Sequence, residues 1–365
     1  MYNISIIGSG NGGRAFAAYL SKKGYKVNLA FRDKRKIKSI YNYKMVQSEG
    51  EISGTFKLNL ITNNYKKLVE QADIILLVVP AFAHKEIAAR IAPYLHDGQI
   101  ILLNPGRTWG AIEVYNIIKL KRPFLDIHVG ETQTLLLTSR AVKDYGVQVL
   151  RIKDSTDFCF YSNYPNYDVY HTINEIFPEL NPVYDIRITS LNNIGAMIHP
   201  ATVVLNSGSI HRKQDFLFYR EGVIPHISRI IEEIDKKRCM ILDALGVKAL
   251  SFLRWVEEVY NVRAQDFYEA FQKIPPYATI KAPKMLKKRY LTEDVPTGLV
   301  PLWSIAQYLN LPTPTIESII NLTDLLLNTE YKRTGRTVRR IGVPLKLLKP
   351  KSPIESVNDT LITIL

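Results

Sequence analysis

Three glycines, Gly8, Gly10 and Gly13, follow directly on the apolar run YNISII at residues 2–7 and open the segment GRAFAAYLSKKG. No other feature constrains the fold as tightly. The first glycine of a G-x-G-x-x-G turn permits a sharp strand-to-helix reversal, the second lets the backbone approach a pyrophosphate, and the third packs helix on strand. Gly24 then stops the helix and YKVNLAF begins a second strand, which completes a βαβ unit. The free N–H groups at the start of that helix form an anion cradle. Gly8, Gly10, Asn11, Gly12 and Gly13 are therefore the candidate contacts for a dinucleotide.

The end of the second strand bears on the choice of dinucleotide. Enzymes that use NAD usually place an acid there for the ribose hydroxyls, whereas this chain reads Ala30, Phe31, Arg32, Asp33, Lys34, Arg35. A cation comes first. Arg32, with Lys34 or Arg35 nearby, suits a 2′-phosphate, and Asp33 reads as a cap for the next helix. NADP(H) is the expected cofactor, with NAD as the alternative.

Beyond this unit, QADIILLVVPAFAH at residues 71–84 reads as an apolar strand ending at Pro80. An amphipathic helix and the strand GQIILLNPG come next. Strands alternating with helices imply a parallel, doubly wound sheet, and the loops leaving its carboxyl ends line the cofactor crevice. Pro80 to His84 and Asn104 to Arg107 are thus expected near the nicotinamide, with Pro80 and Pro105 as contacts and His84 as a helix-start residue. DIHVGETQTLLLTSRA at 126–141 follows, and VYDIRIT at 183–189 closes the domain. The expected layout is α/β: a Rossmann domain over 1–189, then an all-α domain over 190–365, where strand signals nearly vanish and helical periods dominate.

The second domain opens with SLNNIGAMIHPATVVLNSG, an apolar segment with helical spacing, a capping candidate in Ser190 and one histidine, His199. Pro200 lacks an amide hydrogen and disfavours helical angles at the residue before it, so His199 is expected at a helix break. A lone histidine in such a segment is more often a core residue satisfied by a backbone carbonyl than a catalyst.

Composition narrows the classes. The chain has 48 basic and 34 acidic residues, a net charge of +14, yet its basic runs carry no recognition-helix, stacking or zinc-finger pattern. Anionic small molecules are the expected partners, and nucleic acid is not. No stretch approaches a membrane span, the two cysteines lie far apart without metal-ligand spacing, and no targeting segment is evident. The expectation is a cytoplasmic protein with no metal and two buried thiols.

The blocks ADIILLVVPAFAH, ILLNPG, VGETQTLLLTSR, TSLNNIGAMIHPATVVLNSG, RYLTEDVPTGLVP and GRTVRRIGV resemble, in order and over essentially the whole chain, those of the octopine/nopaline (opine) dehydrogenase family. The resemblance implies a helical domain like that of the 6-phosphogluconate dehydrogenase superfamily. It also implies NAD(P)H-dependent reductive condensation of an amino acid's amine, or a related amine, with an α-keto acid such as pyruvate. By the family's motifs the catalytic histidine falls on His199, its aspartate partner on Asp294 and an arginine for the keto acid carboxylate on Arg289. Asn192 and Thr132 or Gln133 are weaker carry-overs to substrate binding. Trp255, Tyr277 and Trp303 read first as core packing. A homodimer is one expectation for the assembly.

Two other readings compete. One is a simple two-domain reductase of the ketopantoate-reductase or glycerol-3-phosphate-dehydrogenase kind, which normally relies on a catalytic lysine; the other is a cofactor-binding protein without turnover.

Overall fold

The computed structural model describes residues 2–33, 38–142, 146–162 and 165–350. The chain forms two compact units that part between Ser190 and Leu191.

The strands of the first unit are β1 (Asn3–Ile7), β2 (Lys26–Ala30), β3 (Met45–Gly50), β4 (Gly54–Lys57), β5 (Leu60–Thr62) and β6 (Ile74–Leu77). They continue with β7 (Gln99–Leu103), β8 (Ile127–Thr132), β9 (Leu137–Val142), β10 (Gly146–Ile152), β11 (Thr156–Tyr161) and β12 (Leu180–Pro182). Eight of them form one sheet in the order β12-β11-β8-β7-β6-β1-β2-β5. Pairing is parallel from β5 across to β8, and β11 runs antiparallel to β8. The apolar runs seen in the sequence become the central strands because both faces of a parallel sheet are covered; β6 and β7 are buried at every position. β1 lies between β2 and β6, so the chain leaves it in both directions, which opens a crevice at its carboxyl end.

Four short strands form a second sheet, β4-β3-β10-β9, which the periodicity of the sequence did not announce. Its members are weakly patterned: Met45–Gly50 buries only Val46 and Ser48. The stretch 126–141 accordingly divides into β8 of the large sheet and β9 of the small one. The helix Asn11–Lys22 packs against strands of both sheets, and its residues Gly13 to Leu20 are all buried.

At the carboxyl end of β8 sits Glu131, which is wholly buried. Its carboxylate accepts from Ala111 N at 2.8 Å, Ser190 Oγ at 2.5 Å and Thr189 Oγ1 at 3.1 Å. Ser190 Oγ also accepts from Trp109 N. Gly106 makes room for this carboxylate, since a Cβ there would lie 2.3 Å from Glu131 Oε2. Ser190 is thus a member of the helix Ile186–Leu191 that ties down the loop after β7, rather than the cap of the next helix.

The second unit is helical; its one isolated bridge among the described residues joins Leu217 to Lys281. Its main helices are Ile194–Leu205, Pro225–Ala244, Phe252–Tyr260, Phe267–Lys273, Val300–Tyr308 and Pro314–Leu327. Pro200 lies inside the first of these without breaking it, so His199 stands in a continuous helix and not at a break. Neighbouring elements, the helices Arg289–Thr292 and Pro225–Ala244 among them, pack on that helix and hold it through the missing backbone bond.

Replacing Glu131 by Ala should lower the unfolding free energy of the chain by about 2–4 kcal/mol, because one buried amide and two hydroxyls lose a charged acceptor. The check is the urea midpoint at constant slope; an unshifted midpoint would show that these groups find other partners.

Candidate active site

The glycine turn is built as its spacing predicts. Gly8 has φ +127°, and a Cβ there would lie 2.1 Å from Val78 O; a Cβ on Gly13 would lie 1.6 Å from Gly8 O. Backbone therefore meets backbone at two points where only glycine fits. Gly10 and Asn11 are exposed, Gly12 is half-buried, and the first turn of the helix Asn11–Lys22 carries no acid. Its positive end is open to an anion, and the shape fits a dinucleotide pyrophosphate.

Arg32 is exposed just beyond β2, whereas Lys34 and Arg35 lie outside the described residues. Pro80 is exposed three residues past the end of β6, which stops at Leu77 rather than at Pro80 itself. Pro105 follows a cis peptide bond from Asn104 in the turn after β7. His84 is buried and begins the helix His84–Ile91.

In the helical unit, His199 and Asp294, 95 residues apart, meet: His199 Nδ1 lies 2.7 Å from Asp294 Oδ2. Asp294 is 2% exposed, while the His199 side chain keeps 16% of its surface. A buried carboxylate accepts, so Nδ1 carries the hydrogen and Nε2 is left as the basic nitrogen. Nε2 faces Tyr219 Oη at 2.9 Å. Burial, with the neighbouring Tyr277 and Tyr290, drives the ionisation of Tyr219 well above that of an ordinary phenol, so its hydroxyl stays a protonated donor to Nε2.

Aromatic rings fix the imidazole. Tyr290 stacks on His199 with centroids 4.4 Å apart, and Tyr219 stacks on Tyr277 at 3.7 Å. Sequence reasoning missed Tyr219 and Tyr290. Tyr290 had a signal available, since it sits between Arg289 and Asp294 in a motif already singled out; Tyr219 had none, because only the fold brings DFLFYREG to His199.

Asp294 is carried into place by a π-helical turn, Val295–Leu299, of the kind that often marks functional sites. Gly298 of that turn lies against the histidine helix so closely that a Cβ would stand 2.3 Å from Ala196 Cβ. Arg289, five residues before Asp294, is exposed and has no ion-pair partner among the described residues. Its planar fork is available to a carboxylate.

Three weaker candidates stand elsewhere. Asn192 is buried and its Oδ1 accepts from Arg238 Nη1 and Leu250 N, so its amide is engaged inside the helical unit rather than displayed to a ligand. Thr132 is buried and donates to the carbonyl of Thr134, which takes its hydroxyl into the turn after β8. Gln133, in that same turn, is half-buried. Trp255 and Trp303 are half-buried, and Tyr277 is packed in the aromatic stack. Burial pushes the Cys159 thiol up to about 12; Cys239 is half-exposed rather than buried.

Comparison with known proteins adds the following. A family model described as NAD/NADP octopine/nopaline dehydrogenase, alpha-helical domain, matches residues 182–327, and one described as ketopantoate reductase PanE/ApbA matches residues 4–107. An opine dehydrogenase of Arthrobacter sp. (strain 1C) is 36% identical over 340 residues, covering 93% of this chain and 94% of the relative. Among solved structures, an octopine dehydrogenase in complex with NADH and agmatine superposes with a TM-score of 0.79 at 19% identity, over 94% of this chain and 96% of that one. A yersinopine dehydrogenase with NADP+ bound gives 0.77 at 14% identity, over 95% and 98%.

Proposed function

The chain belongs to the octopine/nopaline (opine) dehydrogenase family, and from that premise we propose that it condenses an α-keto acid such as pyruvate with the amine of an amino acid or related compound, reductively and at the expense of NAD(P)H. The product is an N-(carboxyalkyl) amino acid. The observation that carries this reading is the 2.7 Å contact of His199 with buried Asp294, with Arg289 on the adjoining turn exposed and without an ion-pair partner among the described residues.

The chemistry follows from those groups. Gly8, Gly10, Asn11, Gly12 and Gly13 cradle the dinucleotide's pyrophosphate, with Pro80 and Pro105 bordering the crevice, and the bound cofactor supplies a hydride. Arg289 holds the keto acid's carboxylate through a bidentate fork. Nε2 of His199 takes a proton from the substrate ammonium, freeing its lone pair to attack the keto carbon. The imidazolium so formed returns a proton to the carbinolamine hydroxyl, which leaves as water; the resulting imine is the hydride acceptor. Asp294 keeps the hydrogen on Nδ1 and stabilises the imidazolium between the two transfers. Because Tyr219 already donates to Nε2, a substrate group must share or displace that bond. Gln133 and Thr132 border the substrate in this reading. Asn192 acts at most through the helix packing that its amide supports.

Arg32 supports NADP(H) over NAD(H), as a cation at a position where an acid would bind the ribose hydroxyls. Two free thiols fit a reducing, cytoplasmic setting. The exposed side chains of Leu322, Leu325 and Leu326, all on the helix Pro314–Leu327, support a homodimer as the working form.

Three outcomes test this reading. NADPH oxidation should be fast only with pyruvate and an amine together, and mass spectrometry should find the condensed product; equal rates without amine, yielding a hydroxy acid, would return the chain to the simple reductases. His199→Ala should lower kcat roughly 100-fold, the usual loss for a positioned acid/base, with an intact circular dichroism spectrum. Asp294→Asn should do the same, and near-normal turnover in either variant would make the pair structural. Arg32→Ala should raise KM for NADPH and leave that for NADH alone; parallel losses with both cofactors would reduce Arg32 to a surface charge.

A further inference from the structure

The pyrophosphate of a nicotinamide dinucleotide carries a negative charge on each phosphate, and the start of the helix Asn11–Lys22 answers it with backbone N–H groups worth about half a charge. Arg14, the first basic residue of that helix, is buried, and its guanidinium donates to the main-chain carbonyls of Ser9 and Gly146. A full cation for the pyrophosphate has to come from elsewhere in the unit Met1–Ser190.

Lys153, in the same unit, lies just past the end of β10, and its main-chain N–H donates to Leu136 O in the turn after β8. Its Nζ is turned in toward that turn and donates to the neutral hydroxyl of Thr134 at 2.8 Å. No carboxylate of the described residues pairs with it. Asp154 pairs with Arg151 at 2.7 Å, and Glu51 accepts from Ile152 N at 2.6 Å. The charged groups that face the ammonium are the guanidiniums of Arg107 and Arg151. Burial, reinforced by those two cations, pushes Lys153 down to about 8. An ammonium desolvated among like charges and given only a hydroxyl is a group that an anion stabilises.

The position selects the anion. Leu135, next to Thr134, lies 3.4 Å from where a Cβ on Gly12 would stand, so the turn at 133–136 borders the glycine cradle. Leu136 N donates to Asn104 Oδ1 at the carboxyl end of β7, and Thr132 Oγ1 donates to Thr134 O, which fixes the turn there. Arg107 comes from the loop after β7, held at φ +59°. In the order β8-β7-β6-β1-β2 these groups lie on the opposite side of β1 from Arg32, away from a 2′-phosphate. The riboses and the reduced nicotinamide are uncharged. The pyrophosphate, seated where the helix starts after β1, is the anion that remains.

We propose that Lys153, oriented by Thr134 and joined by Arg107, is the counter-ion of the cofactor's pyrophosphate. The assignment rests on the dinucleotide reading of the glycine turn and uses groups of the Rossmann unit alone. It has a consequence in pH. An anion at Nζ favours the ammonium, so affinity is full while Lys153 is protonated; above about pH 8 the free protein has lost that proton and must take it up to bind, and affinity falls.

The test is a fluorescence titration of the full chain with NADH and NADPH, and displacement of NADH by ADP-ribose, at pH 7 and pH 9. It uses the wild type, Lys153→Met and Lys153→Arg. At pH 7, Lys153→Met should raise Kd about tenfold or more for NADH, NADPH and ADP-ribose alike, the worth of a charge-assisted hydrogen bond, and Lys153→Arg should restore much of the affinity. From pH 7 to pH 9 the wild-type Kd for NADH should rise about tenfold, whereas both variants, which have no group to titrate there, should hold theirs. An unchanged Kd in Lys153→Met overturns the assignment. So does a loss confined to NADPH, which would make Lys153 a 2′-phosphate ligand, or one absent with ADP-ribose, which would place it on the nicotinamide half. A pH dependence that persists in Lys153→Arg belongs to another group and overturns it as well. A wild type that binds neither dinucleotide overturns this inference and the cofactor reading together.

Discussion

A carboxylate held at 2% exposure is unfavourable unless charge or hydrogen bonds compensate it, and among the groups that Asp294 meets is a histidine nitrogen from a helix 95 residues earlier. Much of the helical unit can be understood from this single contact. The helix Ile194–Leu205 has to run unbroken through Pro200 to present His199. The π-turn has to approach that helix closely enough to bring Asp294 within 2.7 Å. The imidazole, fixed at Nδ1, is then held at Nε2 by Tyr219 and across its face by Tyr290. Three directions of restraint leave the ring little freedom, which is what a proton-transfer group needs for its geometry to be ready before substrate arrives.

The Rossmann unit has a comparable anchor in Glu131. Its carboxylate fastens the start of the helix Gly110–Lys121 and the last turn before the helical unit to the end of β8. The same strand end leads, within three residues, to the turn that carries Thr134 and receives Lys153. One buried acid therefore stiffens the strand end from which the Thr134 turn departs. A site borne on such a support holds its geometry better than one on a free loop.

What could be read from the sequence divides along the same lines. The glycine turn was legible because every requirement it satisfies is local: Gly8, Gly10 and Gly13 lie within six positions, next to the strand and helix they join. Central strands such as Ile74–Leu77 were legible because burial on both faces leaves an unbroken apolar run. The small sheet was not, since Met45–Gly50 and its partners are short, half-exposed and paired across distant stretches. His199 stood out as the polar member of an apolar segment, but its environment did not. The break expected at Pro200 is absent because tertiary packing outweighs one lost backbone bond. Tyr219 carried no pattern at all; it acquires meaning only from His199, a neighbour that the fold supplies. Asn192 shows the reverse limit. Its motif pointed to substrate, yet its amide serves the buried pair of Arg238 and Asp235.

The contact of Gly298 with Ala196 has a consequence for how such a protein can change over time. With a Cβ at 298 standing 2.3 Å from the Ala196 methyl, the two positions share one methyl's worth of volume between them. A side chain gained at 298 would have to be matched by its loss at 196, or the π-turn would lift and carry Asp294 away from His199. The pair should therefore drift in concert among descendants of this chain, each constraining the other although 102 residues separate them.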